Sequence, residues 1–500
     1  MTKEMTTGRR WASLAVLVGG VLLLAIDGTV LYLAVPSLTA ELAPTATQVL
    51  WIGDIYSLVL AGLLVTMGNL ADRIGRKRLL MIGATAFGLA SLLAAFSPTA
   101  EVLIAARLLL GVAGATIMPS TLSLIRNIFT DPIERTRAIA IWSAAAASGI
   151  ALGPLVGGAL LENFWWGSVF LINLPVMALV LILGGWLLPE SRNPHPGRFD
   201  LLSSFLSMVA IVPFVYTIKH VTGGKFDITV IAAIVASIVG GILFVQRQNR
   251  AEAPMIDVSL FRNPAFSGAI SVNFISVFAL SGVLFFFSQY LQLARGLSPL
   301  EAGLAQLPAA IGAMSAVALV GFLLRRLGRG RAIAIALIVG AAGLGLVAAL
   351  ESSQQLAWLL LAVVPLALGI AIAETLSVDA VVSAVKPEKA GAAASVSETA
   401  YELGVALGIA VLGSIINVLY RANLDLPAGI TGEAARLAED SLASAASVLD
   451  PGSAALDAAQ HAFVSAMQSA TLIAGAVMVI AAVVAFFLIP NHKHAVTTDH

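Results

Sequence analysis

The sequence contains no cysteine, and this absence excludes several kinds of site at once. A disulfide framework, a thiolate metal centre and a cysteine nucleophile are all ruled out. Six histidines are present, at His195, His220, His461, His492, His494 and His500. None of them falls within the apolar segments identified below, so the sequence predicts neither a metal site nor a histidine base.

A loop that binds nucleotide phosphates is also missing. No G-x-x-x-x-G-K-[ST] pattern occurs, and the nearest cluster, Gly223-Gly224-Lys225, lacks the loop that cradles phosphates. We therefore expect no ATP and no other cofactor. The formal net charge is +0, which gives no indication of a nucleic-acid partner.

Charged residues are scarce. They make up 11% of the 500 residues against 59% hydrophobic residues, a balance that excludes an ordinary soluble protein and predicts a lipid bilayer as the environment. Apolar runs of about 20 residues, long enough to span a bilayer, occur fourteen times. They begin near Trp11, Leu50, Leu79, Glu101, Ala138, Val169, Leu201, Ile228, Phe266, Ala302, Ala332, Ala357, Gly391 and Phe463. No small-residue cleavage site follows the first run, so we expect it to remain as a span.

Basic residues predict the orientation of these spans. If the N-terminus is inside, only five of the 28 lysines and arginines fall in outer segments, namely Lys219, Lys225, Arg295, Arg421 and Arg436. Basic residues gather on the cytoplasmic side of membrane proteins. The fold class predicted is therefore an all-α polytopic membrane protein with fourteen transmembrane helices and both termini in the cytoplasm.

One short polar stretch between two apolar runs is the strongest motif. Gly68 to Arg78 has the sequence GNLADRIGRKR, with two glycines for a tight turn and one acid, Asp72, against four basic residues. It resembles the G-x-L-A-D-R-x-G-R-K signature of the major facilitator superfamily of secondary transporters. The resemblance implies an inner gate, or conformational motif, made of Gly68, Asp72, Arg73, Gly75, Arg76 and Lys77. Asp72 is expected to pair locally or to meet the positive N-terminus of a nearby helix.

Parts of the chain repeat. Gly321 to Arg331, GFLLRRLGRGR, is a degraded copy of that motif with Arg325 in place of the acid, and Gly149-Ile-Ala-Leu-Gly153 corresponds to Gly404-Val-Ala-Leu-Gly408. Such repeats predict two related halves around a central site. We expect two pseudo-symmetric six-helix bundles with two inserted spans (6+2+6). The predicted domains are 1–188, a linker with inserted spans at 189–264, 265–490 with an outer loop at 421–460, and a cytoplasmic tail at 491–500.

Ionisable residues inside the first-half spans are candidates for proton and substrate coupling. Asp27 lies within an apolar run, where a charge costs at least ~2.5 kcal/mol and so indicates a functional site by default. A carboxylate held structurally by a neighbouring helix is the alternative. Arg107 lies in L-x-x-x-R-x-x-x-G-x-x-G, which resembles the superfamily signature whose arginine is linked to proton transfer; the alternative is snorkelling to the outer interface. Asp54, near the outer end of the second span, is expected to be less buried, and whether it contacts substrate stays open. Tyr56 is a weaker candidate for the substrate cavity.

The fifth span carries small residues and a proline at regular spacing. They are Gly149, Gly153, Pro154, Gly157 and Gly158. Small residues let another helix approach closely, and proline bends the helix. The row also resembles the motif of the antiporters in the superfamily, which implies exchange.

The second half offers a different set of acids. Glu398 and Glu402 stand four residues apart, so they share one helix face, and one of them is expected to hold a proton. Glu374 is a further candidate. Phe278, Gln289, Tyr290 and Tyr401 are weaker candidates for the substrate cavity, since aromatic faces can bind cations but also pack in cores.

Segments of the second half resemble the fourteen-helix drug:proton antiporters, among them PMIDVSLFRNP from Pro254, SPLEAGLAQLPA from Ser298 and SETAYELGVALGIAVLGS from Ser397. The resemblance implies a monomeric multidrug exporter of lipophilic cations in the bacterial inner membrane, driven by protons. A metabolite exporter on the same scaffold is the alternative within the class, and a non-transporting receptor is the alternative outside it. Within the outer loop, two helix-start signals, Thr431-Gly-Glu433 and Asp450-Pro-Gly-Ser453, predict two short helices outside the membrane. These helices either cover the outer mouth of the transporter or form an insertion without a function.

Overall fold

A computed structural model describes residues 5–192, 200–222, 226–251, 254, 256–353, 355–385, 390–427 and 429–491. In these ranges every regular element is helical. Residues 193–199 of the predicted linker segment lie outside the described residues, as do Gly223-Gly224-Lys225 and the predicted tail from 492 onward.

The helices follow one another in a simple order. They are α1 (Thr7–Leu42), α2 (Ala46–Ile74), α3 (Arg76–Ala95), α4 (Ala100–Ile128), α5 (Pro132–Asn163), α6 (Ser168–Leu171), α7 (Asn173–Leu187), α8 (Leu201–Thr222), α9 (Ile228–Arg250), α10 (Pro264–Gln289), α11 (Pro299–Leu304), α12 (Leu307–Leu327), α13 (Arg329–Leu350), α14 (Leu356–Ser383), α15 (Ala390–Asn423), α16 (Gly432–Asp440), α17 (Leu442–Val448) and α18 (Ala454–Leu488). A 3-10 helix, Val258–Arg262, precedes α10, and a π-helical segment, Tyr290–Ala294, follows it. Fourteen helical segments in the described chain are long and apolar enough to cross a membrane, which confirms the predicted number.

Contacts divide the chain into two compact units. Unit 1 comprises Met1–Val212, Ser237–Phe244 and Arg295–Leu304, and unit 2 comprises Pro213–Ala236, Val245–Ala294 and Ala305–His500. Unit 1 therefore contains α1 to α7 and α11, while unit 2 contains α10 and α12 to α18. The division into 1–188, 189–264 and 265–490 stays a prediction.

The two copies of the basic motif fold into the same kind of turn. Gly75 ends α2 and precedes α3 at φ 113°, and Gly328 ends α12 and precedes α13 at φ 79°. Residues with a Cβ rarely adopt these positive angles, so glycine is required at both turns. The repeated sequence thus produces a repeated local structure, once in each unit.

The second repeated sequence brings helix backbones together. A Cβ at Gly149 would lie 2.6 Å from the main-chain oxygen of Leu22, which packs α5 on α1. A Cβ at Gly404 would lie 2.8 Å from the main-chain oxygen of Phe274, which packs α15 on α10. The repeated sequence therefore places a helix pair in close backbone contact in each unit, as small residues permit.

The outer loop is folded onto unit 2, and one of its two predicted helices was misplaced. Thr431 precedes α16 as predicted, but Ser453 is the N-cap of α18, which begins nine residues before the predicted start at Phe463. The second short helix is α17, capped by Ser441, a signal that the sequence analysis did not use. The hydroxyl of Tyr420 donates to the main-chain oxygen of Ala438 at 2.7 Å and fixes α16 to the end of α15.

The predicted orientation can be tested by labelling, since no native cysteine gives a background. Arg78→Cys lies in the basic turn, and Arg436→Cys lies in the outer loop, where the arginine side chain is 75% exposed. We expect a membrane-impermeant maleimide to label only the Arg436 variant in sealed cells. Both variants should react after permeabilisation, which is the control. Labelling of the Arg78 variant in sealed cells would overturn the orientation.

Candidate functional site

Asp27 on α1 and Arg107 on α4 form a buried ion pair inside unit 1. Arg107 Nη1 donates to Asp27 Oδ2 at 3.1 Å, and the side chains are 1% and 0% exposed, respectively. Arg107 Nε also donates to the main-chain oxygen of Ile52 at 3.2 Å. The snorkelling alternative for Arg107 is therefore wrong, because its guanidinium is held inside the unit by a carboxylate and a backbone carbonyl.

An asparagine that the sequence analysis missed completes this cluster. Asn173 Nδ2 donates to Asp27 Oδ1 at 2.7 Å and is 3.0 Å from Ser91 Oγ. Both oxygens of Asp27 are thereby engaged, from α4 on one side and from α7 on the other. The signal that could have revealed Asn173 is its position as an amide at the start of the otherwise apolar helix α7.

The glycines that follow Arg107 make room for α2. A Cβ at Gly111 would lie 2.7 Å from the main-chain oxygen of Tyr56, and one at Gly114 would lie 3.2 Å from the Tyr56 hydroxyl. The Tyr56 ring consequently lies over the guanidinium of Arg107, 4.7 Å from Cζ to the ring centroid. Asp54 is 0% exposed, which corrects the expectation that it would be less buried. The reason is that α2 begins at Ala46, four residues before the predicted start, so Asp54 lies deeper in the helix.

Unit 2 brings together two acids from different helices. The carboxylates of Glu374 on α14 and Glu398 on α15 are close enough for their charges to repel, and both side chains are partly exposed. Glu402 lies one turn further along α15 and is 8% exposed. The sequence predicted the pair Glu398 and Glu402, but it did not predict that Glu374 approaches Glu398 from the neighbouring helix.

The residues around these acids differ in how accessible they are. Asn273 Nδ2 on α10 donates to the main-chain oxygen of Ser397, beside Glu398, at 3.0 Å. Phe278 and Tyr401 are partly exposed, whereas Gln289 and Tyr290 are 4% and 0% exposed. Tyr290 stacks on Phe287 and its hydroxyl donates to the main-chain oxygen of Glu351, so its ring has no surface left for a substrate.

The basic turn of unit 1 is held by an acid from outside the motif. Asp72 pairs with Arg76, one turn along the chain, at 2.8 Å, which is the local pairing foreseen for it. Glu190, which follows α7, accepts hydrogen bonds from the backbone N–H groups of Lys77 at 3.2 Å and Arg78 at 3.1 Å. Glu190 therefore occupies the positive N-terminus of α3, a position favourable for a carboxylate. Arg73 is exposed.

We expect Glu190→Gln to lower stability more than Asp72→Asn. The glutamine removes a negative charge from a helix N-terminus, an interaction typically worth ~0.3–1 kcal/mol. Asp72→Asn removes one partly exposed pair four residues apart, worth ~0.3–0.5 kcal/mol. Thermal unfolding of the purified variants in one detergent measures the difference. A larger loss in the Asp72 variant would contradict the assignment of Glu190 as the cap of α3.

The remaining predicted residues of the first half pack helices together. A Cβ at Gly158 would lie 2.6 Å from the main-chain oxygen of Pro299, and a Cβ at Gly157 would lie 2.8 Å from Val30 Cγ2. Gly303 of α11 lies against the main-chain oxygen of Pro154. The row on α5 is thus in contact with α1 on one side and α11 on the other. Among the described residues, no group of three or more His, Cys, Asp or Glu side chains could hold a metal ion.

Comparison with known proteins gives consistent results. The family model of the Major Facilitator Superfamily matches residues 17–409. The chain is 47% identical to the Multidrug efflux pump LfrA of Mycolicibacterium smegmatis over 96% of both proteins. It is 38% identical to the Methyl viologen resistance protein SmvA of Salmonella typhimurium, covering 96% of this chain and 98% of that protein. In fold the chain is similar to the crystal structure of a bacterial homolog of the human lysosomal transporter Spinster, in an inward-facing and unoccupied conformation. The TM-score is 0.66 and the sequence identity is 17%, and the match covers 96% of this chain and 98% of that chain.

Proposed function

Because the chain belongs to the major facilitator superfamily, we propose that it is a proton-coupled antiporter that exports lipophilic, mostly cationic compounds such as quaternary ammonium compounds and dyes. It acts as a monomer in the bacterial cytoplasmic membrane, with both termini inside the cell. The proton gradient supplies the energy for transport, and no cofactor takes part. The names of its relatives, a multidrug efflux pump and a methyl viologen resistance protein, support the same class of activity.

The observation that carries this proposal is the unequal charge of the two units. Asp27 in unit 1 has Arg107 as its counter-charge. Glu374 and Glu398 lie on α14 and α15, and α10 packs on both of these helices. These helices have no lysine or arginine away from their terminal turns, since α10 and α14 have none and α15 has only Arg421 in its last turn. Uncompensated carboxylates at membrane depth are costly, so they favour binding of a proton or of a cationic substrate.

These carboxylates would bind protons and cations in alternation. Glu374 and Glu398 repel each other when both are charged, so one bound proton or one bound cation relieves the repulsion. Apolar side chains of the surrounding helices supply contacts that do not depend on an exact shape, which suits many lipophilic cations. Binding of a proton from the outside would then release the cation there.

In unit 1, Arg107 and Asn173 would control the charge state of Asp27. A proton on Asp27 removes the negative charge that holds Arg107, and the guanidinium is then left with the Ile52 carbonyl and the Tyr56 ring. Protonation therefore changes the force between α1 and α4. This is the coupling step that we assign to unit 1, and Tyr56 keeps the freed guanidinium from water.

Dye efflux from intact cells tests the proposal. Cells loaded with a fluorescent cationic dye are energised, with and without a protonophore, and express the wild type or Asp27→Asn. A matched control is Glu433→Gln, which makes the same chemical change at a side chain that is 79% exposed in the outer loop. We expect wild-type and Glu433→Gln cells to expel the dye only without protonophore, and Asp27→Asn cells to retain it. Efflux that the protonophore leaves unchanged would exclude proton coupling. If the purified protein bound a polar metabolite and no cationic dye, the proposed substrate class would be wrong, and the alternative of a metabolite exporter would be favoured.

A further inference from the structure

Glu351 is a buried acid that the proposed transport cycle does not use. It lies one residue beyond the end of α13, at the end predicted to face outward, and its side chain is 1% exposed. Thr471 of α18 donates to Oε1 at 3.2 Å, while Oε2 is buried without a hydrogen-bond partner. Tyr290 of the π-helical segment donates to the main-chain oxygen of Glu351 at 2.6 Å. Three elements of unit 2 therefore meet at this carboxyl group.

In the described part of the chain, the three elements that meet at Glu351 bring no positive charge to its carboxyl group. In α13 the ionisable residues are Arg329 and Arg331, at the opposite end of the helix. In α18 they are Asp457 and His461, and His461 is about 15 Å along the axis from Thr471 at the helical rise of ~1.5 Å per residue. The π-helical segment contributes only Tyr290, whose hydroxyl is bound to the main chain.

Burial without a counter-charge favours the neutral carboxyl. Burial raises the pKa of Glu351 to about 8, and the Thr471 hydrogen bond offsets only part of that effect. The charged form would leave an ionised oxygen, Oε2, buried without a donor, whereas the neutral carboxyl has no charge that needs solvation.

We infer that Glu351 is a proton-binding site at the outward end of unit 2, and that its proton holds α13, α18 and the π-helical segment together. When the proton leaves, the charged carboxylate must reach water, and the contacts with Thr471 and Tyr290 loosen. The same end carries α17, which packs on α18 and on the π-helical segment. Loosening would therefore also release the folded part of the outer loop.

The sign of the effect on stability follows from proton binding. The ordinary pKa of a glutamate is near 4.5 and that of folded Glu351 is about 8, so the folded protein binds more protons between these values. The contribution of the Glu351 proton to the free energy of unfolding is fully present below the ordinary pKa of glutamate. It decreases as the pH rises and is lost once the pH passes the pKa of the folded protein. Glu351→Gln cannot lose a proton and lacks this dependence.

Thermal unfolding of the purified full chain from pH 5 to 9 tests the site independently of transport. Relative to Glu351→Gln, the melting temperature of the wild type is expected to fall progressively as the pH rises. Glu433→Gln, the matched exposed change, should follow the wild type. Parallel curves for the wild type and Glu351→Gln would overturn the inference, and so would a Glu351→Gln protein that is equally destabilised at every pH.

A labelling experiment reports the loosening itself and separates it from general instability. Ala470, beside Thr471 on α18, is 2% exposed, and a cysteine there would be the only one in the chain. We expect Ala470→Cys to react with maleimide faster with Glu351 present than with Glu351→Gln, and the ratio of the two rates to increase between pH 6 and 9. The effect of pH on the thiol itself cancels in that ratio. A ratio that does not change with pH would overturn the inference.

Discussion

Glu398→Gln is expected to abolish export against a concentration gradient while leaving exchange down a gradient in place. The amide keeps the size of the side chain but cannot exchange a proton, and it no longer repels Glu374. The driving force of the proton gradient is then disconnected from substrate movement, although a cation can still interact with Glu374 and Glu402. Proteoliposomes with an imposed pH gradient measure the uphill rate, and counterflow of labelled substrate with no gradient measures exchange.

The control for this experiment is Glu433→Gln, reconstituted and assayed in the same way. It should match the wild type in both assays. Equal loss of uphill transport and counterflow in a stably folded Glu398→Gln protein would assign Glu398 to substrate binding alone. Uphill transport at the wild-type rate would remove Glu398 from the coupling mechanism and leave that role to Glu374 or Glu402.

Arg107→Met is expected to lower stability far more than the double variant Asp27→Asn with Arg107→Met. Removing one partner of a buried ion pair leaves an uncompensated charge and typically costs ~3–5 kcal/mol, whereas neutralising both partners is often nearly neutral. In this unit the charge left behind is Asp27, 0% exposed and held by Asn173. Yield of folded protein and thermal unfolding in one detergent give the comparison.

Both variants should fail to transport, because the coupling step needs both members of the pair. The two variants are therefore expected to differ only in folded yield and thermal stability. Recovery of stability when Asp27→Asn is added to Arg107→Met is the decisive result. If the double variant were as unstable as Arg107→Met, the arginine would stabilise unit 1 through its contacts with Ile52 and Tyr56 rather than through the carboxylate.

The sequence was sufficient for features that depend on local patterns. Hydropathy over about 20 residues predicted fourteen spans, and a charge in an apolar run marked Asp27 and Arg107 separately. It could not show that these two residues form a pair, because 80 positions separate them and packing alone decides which helices meet. Asn173 was missed for a related reason, since a single amide near a helix end is common and acquires its role only from the carboxylate beside it.

The acids of unit 2 and the basic turn also have partners that the sequence could not identify. A spacing of four residues along α15 predicts that Glu398 and Glu402 share a face, but the approach of Glu374 depends on how α14 packs against α15. Likewise, Asp72 was the visible acid within the basic motif, whereas the helix N-terminus is capped by Glu190 from more than 100 residues away. In both places the sequence identified the type of interaction, and tertiary structure selected the partner.

The glycine contacts between α1 and α5, and between α10 and α15, have a mechanical consequence. Where backbone lies on backbone, as at Gly149 and Gly404, the glycine itself has no side chain that would have to pass its neighbour if the two helices slid. Close contact at these two seams resists separation of the helices, and the glycines oppose sliding along the helix axes less than larger residues would. Small axial sliding of packed helices is the shear type of motion known in proteins. Shear at these two seams would carry Asp27 on α1 and Glu398 on α15 lengthwise relative to their neighbours, without opening either seam to lipid.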